Sequence, residues 1–513
     1  MKKISILALA IGLLGCETSS GAELAPGRMG PVGSRSVTQG GAQDIGYFRS
    51  IVESGGIPRP TTIEPVGFFA EHAVDLPPAD CGDSICTHAM LAVAPGIDQV
   101  SNWTMAFVAM NTPVDPRDLE RPDTHVVLAI EDTARTSLFA TNAASALRNI
   151  ANELMANDRI SIVRMGERVS VLAEAVRPTD PALAAAASQF TGTDTRAALY
   201  DGLARSSTLI EDVSGTFAGA HRVLLLTSGI ADAGVTDSMR IVDLGEALAR
   251  EAIGVSVVGL GEGYRPELAM QISEGGGGSY YFAQRVEDLN EIFTIEGRTS
   301  LHPLATDFEL VVEAAPGYRV GRVYGAQRAW SEQAAAYLTS PVLMVGNRTG
   351  ADDIDEGRRG GGGGLFVELI ADPSFDIGAG APAFTATATW VDAQTSLPVV
   401  QSIVVTNGLA VGENPGGMFP HFSDPACGKV FMMLNMYLSL RTTVELYHGG
   451  DCAQALGVVP ALEPTYIGWQ TEYEDPDVDA DWALLSALSD NVSGECAGVT
   501  PEAPVAPMSC FHD

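Results

Sequence analysis

The stretch "VVLAIEDTARTS", residues 126–137, decides the fold. An apolar run reaches Ile130, and the chain then turns polar at once. A buried parallel strand ends this way where its carboxyl end opens onto a ligand site. Glu131, Asp132, Thr133, Arg135 and Thr136 follow within a few positions, and their chemistry poses the functional question.

Working outward, strands and helices alternate. A strand over His125–Ile130 is followed by a helix over Leu138–Met155, the strand "RISIVRM" and a neighbouring strand "RVSVLAEAV". Short helices in "PALAAAASQF" and "TRAALYDGLARSS" precede "HRVLLLT", an apolar strand. Then come a helix in "SMRIVDLGEALAREA", a strand in "GVSVVGLG", a helix in "PELAMQISEGG", a strand in "SYYFA" and a helix in "VEDLNEIF". Continuous apolar runs between helices imply an α/β domain, a doubly wound and mostly parallel sheet covered on both faces. Ligands of such sheets bind at the carboxyl ends of the central strands.

The flanks differ. "DIGYFRSIVESGGIPRP" places Ile45, Phe48, Ile51 and Val52 at helical spacing, and "THAMLAVAPG" and "NWTMAFVAMN" read as strands. After residue 303, "DFELVVEAAPGYRVGRVYG", "AYLTSPVLMVG", "GLFVELIAD" and "AFTATATWVDA" read as antiparallel strands. Arg358–Gly364, "RRGGGGG", lacks the lysine and hydroxyl of a phosphate loop and is expected to be a hairpin connection. Helices return from Pro425, where the acids of "DPDVDAD" lack the glycine and glutamate of a calcium loop and suggest a solvated connector.

The chain has 513 residues, 46% apolar and 18% charged, enough to bury cores in about three domains. A net charge of −34 disfavours nucleic acid and anionic lipid headgroups as partners and suits a soluble, secreted surface. Lysine occurs only at positions 2, 3 and 429. The opening "MKKISILALAIGLLGC" joins two lysines to an apolar run too short to span a bilayer. It resembles the lipobox of bacterial lipoproteins. That likeness implies removal of the preceding peptide and lipidation of Cys16, and Glu17 after it favours the outer membrane. Residues 17–42 then form a flexible tether. The remaining cysteines, Cys81, Cys86, Cys427, Cys452, Cys496 and Cys510, suggest disulfides. Locality pairs Cys81 with Cys86 and leaves the last four to pair among themselves.

Residues 120–300 resemble a von Willebrand factor type A domain. "HRVLLLTSGIADAGVTD", "GTDTRAALYDGLA", "GVSVVGLGEGY" and "ISEGGGGSYYFAQRVEDLNEIF", in that order, carry the likeness. From Asp44 to Asp490 the whole is similar to bacterial lipoproteins that place this domain between flanking modules. Expected divisions are a signal peptide (1–16), the tether (17–42), an N-terminal α+β module (43–118), the type A domain (119–300), a β-rich module (301–420) and a helical, disulfide-containing module (421–513).

The resemblance implies a metal-ion-dependent adhesion site, in which carboxylates and hydroxyls hold a hard cation and a partner's acid completes the shell. Here Glu131 falls where the family has an aspartate, and Thr133 takes the first hydroxyl position. Arg135 takes the second, and a guanidinium offers no lone pair. Thr193 is kept in the second loop, while Ser228 replaces the third-loop carboxylate. The register shifted by one, Asp132, Ala134 and Thr136, restores an aspartate and loses a hydroxyl. No metal is therefore expected; weak magnesium or calcium binding is the alternative. Arg135 is expected to pair internally with Glu131 or Asp132, or else to face a partner's acid.

No GxSxG elbow, Walker loop or HExxH is present, and His72, His88, His125, His221 and His302 do not cluster in sequence. The expectation is a non-enzymatic, lipid-anchored envelope protein that binds another envelope or extracellular protein. The alternatives are a purely architectural lipoprotein, a metal-dependent adhesin, and a hydrolase or sugar-binding protein.

Overall fold

The computed structural model describes residues 35–39, 44–72, 74–95, 102–114, 122–261, 263–285, 288–289, 292, 303–326, 328–345, 364–409, 421–423 and 426–504. Cys16, Cys510, His302 and residues 358–363 lie outside them.

The N-terminal elements are β1 (Arg35–Gln39), α1 (Gly46–Glu53), α2 (Pro65–Ala70), β2 (Cys86–Pro95) and β3 (Asn102–Thr112). The central domain follows with β4 (Thr124–Glu131), α3 (Ser137–Glu153), β5 (Arg159–Met165), β6 (Val169–Val176), α4 (Ala182–Ala187) and α5 (Leu199–Ser214). It closes with β7 (Ala220–Thr227), α6 (Ser238–Arg250), β8 (Gly254–Leu260), α7 (Pro266–Gly275) and β9 (Gly277–Ala283).

Its sheet runs β6-β5-β4-β7-β8-β9, parallel throughout except for the antiparallel β5–β6 pair. Every residue of β8 and β9 is buried, because helices cover both faces. One face buries Leu128, Ile130, Phe139 and Leu147; the other buries Val127, Ala129, Leu203 and Val257. The chain order reverses between β4 and β7, so the carboxyl ends of these strands form the crevice where such folds bind ligands.

The flanks fold together rather than as separate modules. After the central domain come β10 (Pro303–Ala314), β11 (Tyr318–Tyr324), β12 (Ala329–Ser331), β13 (Ala335–Val345), β14 (Gly364–Ala371), β15 (Pro382–Asp392), β16 (Pro398–Thr406) and β17 (His421–Phe422). β14 pairs with β3, and β1 pairs with both β3 and β13. The N-terminal strands and the β-rich region thus share one sheet system over one core, which includes Val37, Val108, Phe308, Val367 and Trp390. The divisions drawn at 118 and 301 cut across hydrogen-bonded strands, and the tether expected to reach residue 42 includes β1. A segment of five residues carries too little periodicity to announce itself.

Three helices end the described chain: α8 (Ala426–His448), α9 (Cys452–Glu472) and α10 (Pro476–Glu495). They share a core with Phe48, Phe68 and Phe69 of α1 and α2. The acids expected to form a solvated connector instead begin α10. Asp475 caps it through the Asp477 and Val478 N–H groups. Asp477 is buried and pairs with Lys429 at 2.9 Å, and buried Asp481 meets His72 Nε2 at 2.5 Å. Disulfides join Cys81 to Cys86 and Cys452 to Cys496, while Cys427 is buried in α8.

Candidate functional site

Glu131 is the last residue of β4, and its side chain is 0% exposed. A buried carboxylate needs several donors to offset its lost hydration. It receives the Thr133 hydroxyl at 2.6 Å and the Thr227 hydroxyl at 2.8 Å. The Ser228 N–H at 2.8 Å and the Ser228 hydroxyl at 3.0 Å complete a ring of neutral donors.

The cation of this ring is Arg135. Its Nε donates to Glu131 at 3.3 Å and to Ser228 Oγ at 3.1 Å. Nη1 donates to the Thr195 carbonyl at 3.2 Å and to Asp232 at 2.9 Å; Nη2 reaches the other Asp232 oxygen at 3.3 Å. Burial opposes the charge on Arg135, but Asp232 and Glu131 more than offset it and raise its pKa above the ordinary arginine value. Burial likewise works to raise the Asp232 pKa, yet hydrogen bonds from Arg135 and from the Ala197 N–H, at 2.6 Å, hold it below the usual carboxylate range. The guanidinium thereby ties the β4–α3 turn to the loops 191–198 and 228–237.

Asp132 faces the other way. It accepts Arg164 Nε at 2.5 Å, the Thr191 N–H at 2.9 Å and the Gly192 N–H at 2.6 Å. Arg164 also reaches Asp194 at 3.4 Å. The adjacent acids therefore work with different arginines, and both arginines hold the loop 191–198. The Thr136 hydroxyl donates to the Glu131 carbonyl at 2.8 Å and so shapes the turn. Gly261, at φ +87°, comes so close to the Arg135 carbonyl that an added Cβ would lie 1.9 Å from it.

Glu131, Thr133, Arg135 and Ser228 converge, the first of the two registers considered from sequence. Thr193 does not join them: it is exposed, and its hydroxyl pairs with that of Thr191 at 2.8 Å. Sequence reasoning missed Asp232, Thr227 and Arg164. Asp232 stands only four positions after Ser228, in the same loop.

The space between Glu131, Ser228 and Asp232 is filled by Arg135, which can only donate hydrogen bonds. Among the described residues no cluster of three or more histidine, cysteine, aspartate or glutamate side chains could hold a metal ion. Beyond the site, His125 meets His221, and His88 meets Asn111.

No protein-family model and no curated protein matches the sequence. Solved structures do. The von Willebrand factor type A protein from Catenulispora acidiphila superposes with a TM-score of 0.50 at 12% identity, covering 79% of this chain and 96% of that one. The ArnB paralog VWA2 from Sulfolobus acidocaldarius gives 0.43 at 12% identity, covering 80% and 98%. BatB from Bacteroides thetaiotaomicron gives 0.28 at 11% identity, covering 34% of this chain and 96% of its own. The chain has the fold of the Catenulispora von Willebrand factor type A structure, with its mostly parallel sheet and its added β-rich and helical regions.

Proposed function

We propose that this is a non-enzymatic lipoprotein of the bacterial envelope, anchored through Cys16 in the outer membrane. Its type A domain binds another envelope or extracellular protein through the β4–α3 turn and the loops 191–198 and 228–237, without a metal ion. The observation that carries the reading is Arg135, held between buried Glu131 and Asp232. Bringing a divalent ion within about 4 Å of that guanidinium costs on the order of 8 kcal/mol at an effective dielectric near 20. Adhesion-site affinities in the millimolar to micromolar range supply only about 4 to 8 kcal/mol. The loops are instead fixed by internal ion pairs, which preorganises a surface at the crevice of the fold.

The test is affinity capture with the purified ectodomain, followed by binding measurements on the recovered partner. Binding should persist in chelator and weaken at least tenfold for Arg135→Ala and Asp232→Ala. Loss of binding in chelator would overturn the metal-free reading. Undiminished binding by both folded variants would place the contact elsewhere and favour a purely architectural domain. Failure of Cys16→Ser to release the protein from membranes would remove the anchor.

A further inference from the structure

The amino end of the central sheet, opposite the site, carries a hydrogen-bond chain that the proposed function does not use. His125 on β4 and His221 on β7 are register partners, with Nδ1 atoms 3.3 Å apart. His125 Nε2 lies 2.9 Å from Ser161 Oγ on β5, and His221 Nε2 lies 3.3 Å from Ser214 Oγ at the end of α5. His125 is 0% exposed.

The partners fix where every proton sits. A hydroxyl has one hydrogen, and Ser214 spends its own on the Ile210 carbonyl at 2.6 Å. Ser214 Oγ can therefore only accept, so His221 Nε2 carries a proton. Neutral His221 then accepts at Nδ1, and His125 Nδ1–H must donate to it. His125 Nε2 is left as an acceptor for the Ser161 hydroxyl, whose oxygen also takes the Ala175 N–H at 2.8 Å. All four groups point their protons the same way.

We propose that this chain is an acid-responsive device: it admits one proton by reversing the tautomer of His125 and excludes a second. His125 passes its Nδ1–H to Nδ1 of His221, the less buried ring, which becomes the cation. The incoming proton is taken up at His125 Nε2, so His125 stays neutral, accepts at Nδ1 and donates from Nε2 to Ser161 Oγ. A second proton would set two N–H groups nose to nose at 3.3 Å. The charges acting on His125 make this worse: His221 itself, and Arg159 of β5, whose guanidinium sits over the Phe217 ring. The neighbouring Asp158 carboxylate accepts the Thr124 and Met155 N–H groups. Burial first, then His221 and Arg159, pushes His125 down to about 4, and burial also lowers His221. The histidine pair joins β4 to β7 at one end of the sheet, and Glu131 ends the same strand β4 at the other.

The experiment is nitrogen-15 NMR of the whole protein labelled at histidine, titrated from pH 8 to pH 4. At neutral pH His125 should appear as the Nδ1–H tautomer. As His221 protonates, His125 should switch to Nε2–H while staying neutral. An Nε2–H His125 at neutral pH, or both rings titrating independently in the ordinary histidine range, would overturn the proposal. In His221→Phe the tautomer switch should vanish; its persistence there would also count against the pair. Because the decisive signals come from the native chain, a variant that fails to fold leaves the test intact.

Discussion

Replacing Arg135 with alanine probes the site most revealingly. The change removes the cation 3.3 Å from Glu131, whose side chain is 0% exposed, and leaves only neutral donors around that carboxylate. At 3.3 Å the lost attraction is about 5 kcal/mol at an effective dielectric near 20. Removing one partner of a buried pair typically costs about 3–5 kcal/mol. Arg135 is itself 23% exposed and Asp232 31%, so their mutual contact adds little, under about 1 kcal/mol. The expected loss is about 3 kcal/mol, seen in urea unfolding of the ectodomain as a midpoint lowered by about 1 M. Arg135→Lys should fall between, since an ammonium keeps the charge but cannot fork to Ser228, Thr195 and Asp232 together. If Arg135→Ala unfolds within about 0.5 kcal/mol of wild type, as an ordinary surface change would, the guanidinium is not what neutralises Glu131.

Two further outcomes follow from the packing. His125 has a folded pKa of about 4, below the ordinary 6.5, so the unfolded chain binds the extra proton between those values. Stability should therefore be full above pH 6.5 and fall as the pH drops towards 4, by about 3 kcal/mol, with the slope reduced in His125→Phe; urea midpoints across pH measure it. The Cys452–Cys496 bridge closes a separation of 44 residues and the Cys81–Cys86 bridge one of 5. On loop entropy, serine pairs at these positions should cost about 4 and about 2 kcal/mol, and calorimetric melting of the two variants should show that order.

The central sheet was legible because its strands are continuous apolar runs separated by helices, a pattern local in sequence. The polar break after Ile130 likewise marked the turn where Glu131, Thr133 and Arg135 meet Ser228. What sequence reasoning missed depends on contacts between distant segments. β14 lies beside β3, and β1 lies between β3 and β13, pairings that no local periodicity encodes. The acids before Trp482 looked solvated because lone acids usually are. Their partners, Lys429 and His72, lie 48 and 409 positions away. Asp232 carries no such distance: it lies four positions after Ser228, within the same loop, and only the fold turns its carboxylate onto Arg135.

Calorimetric titration with magnesium and calcium is the most direct trial of the central claim, that an arginine's fixed charge occupies the cation's place. The native ectodomain should show no saturable heat, while the combined change Glu131→Asp, Arg135→Ser and Ser228→Asp, which restores oxygen donors, should bind either ion. Saturable binding by the native protein in the millimolar-to-micromolar range would contradict the account.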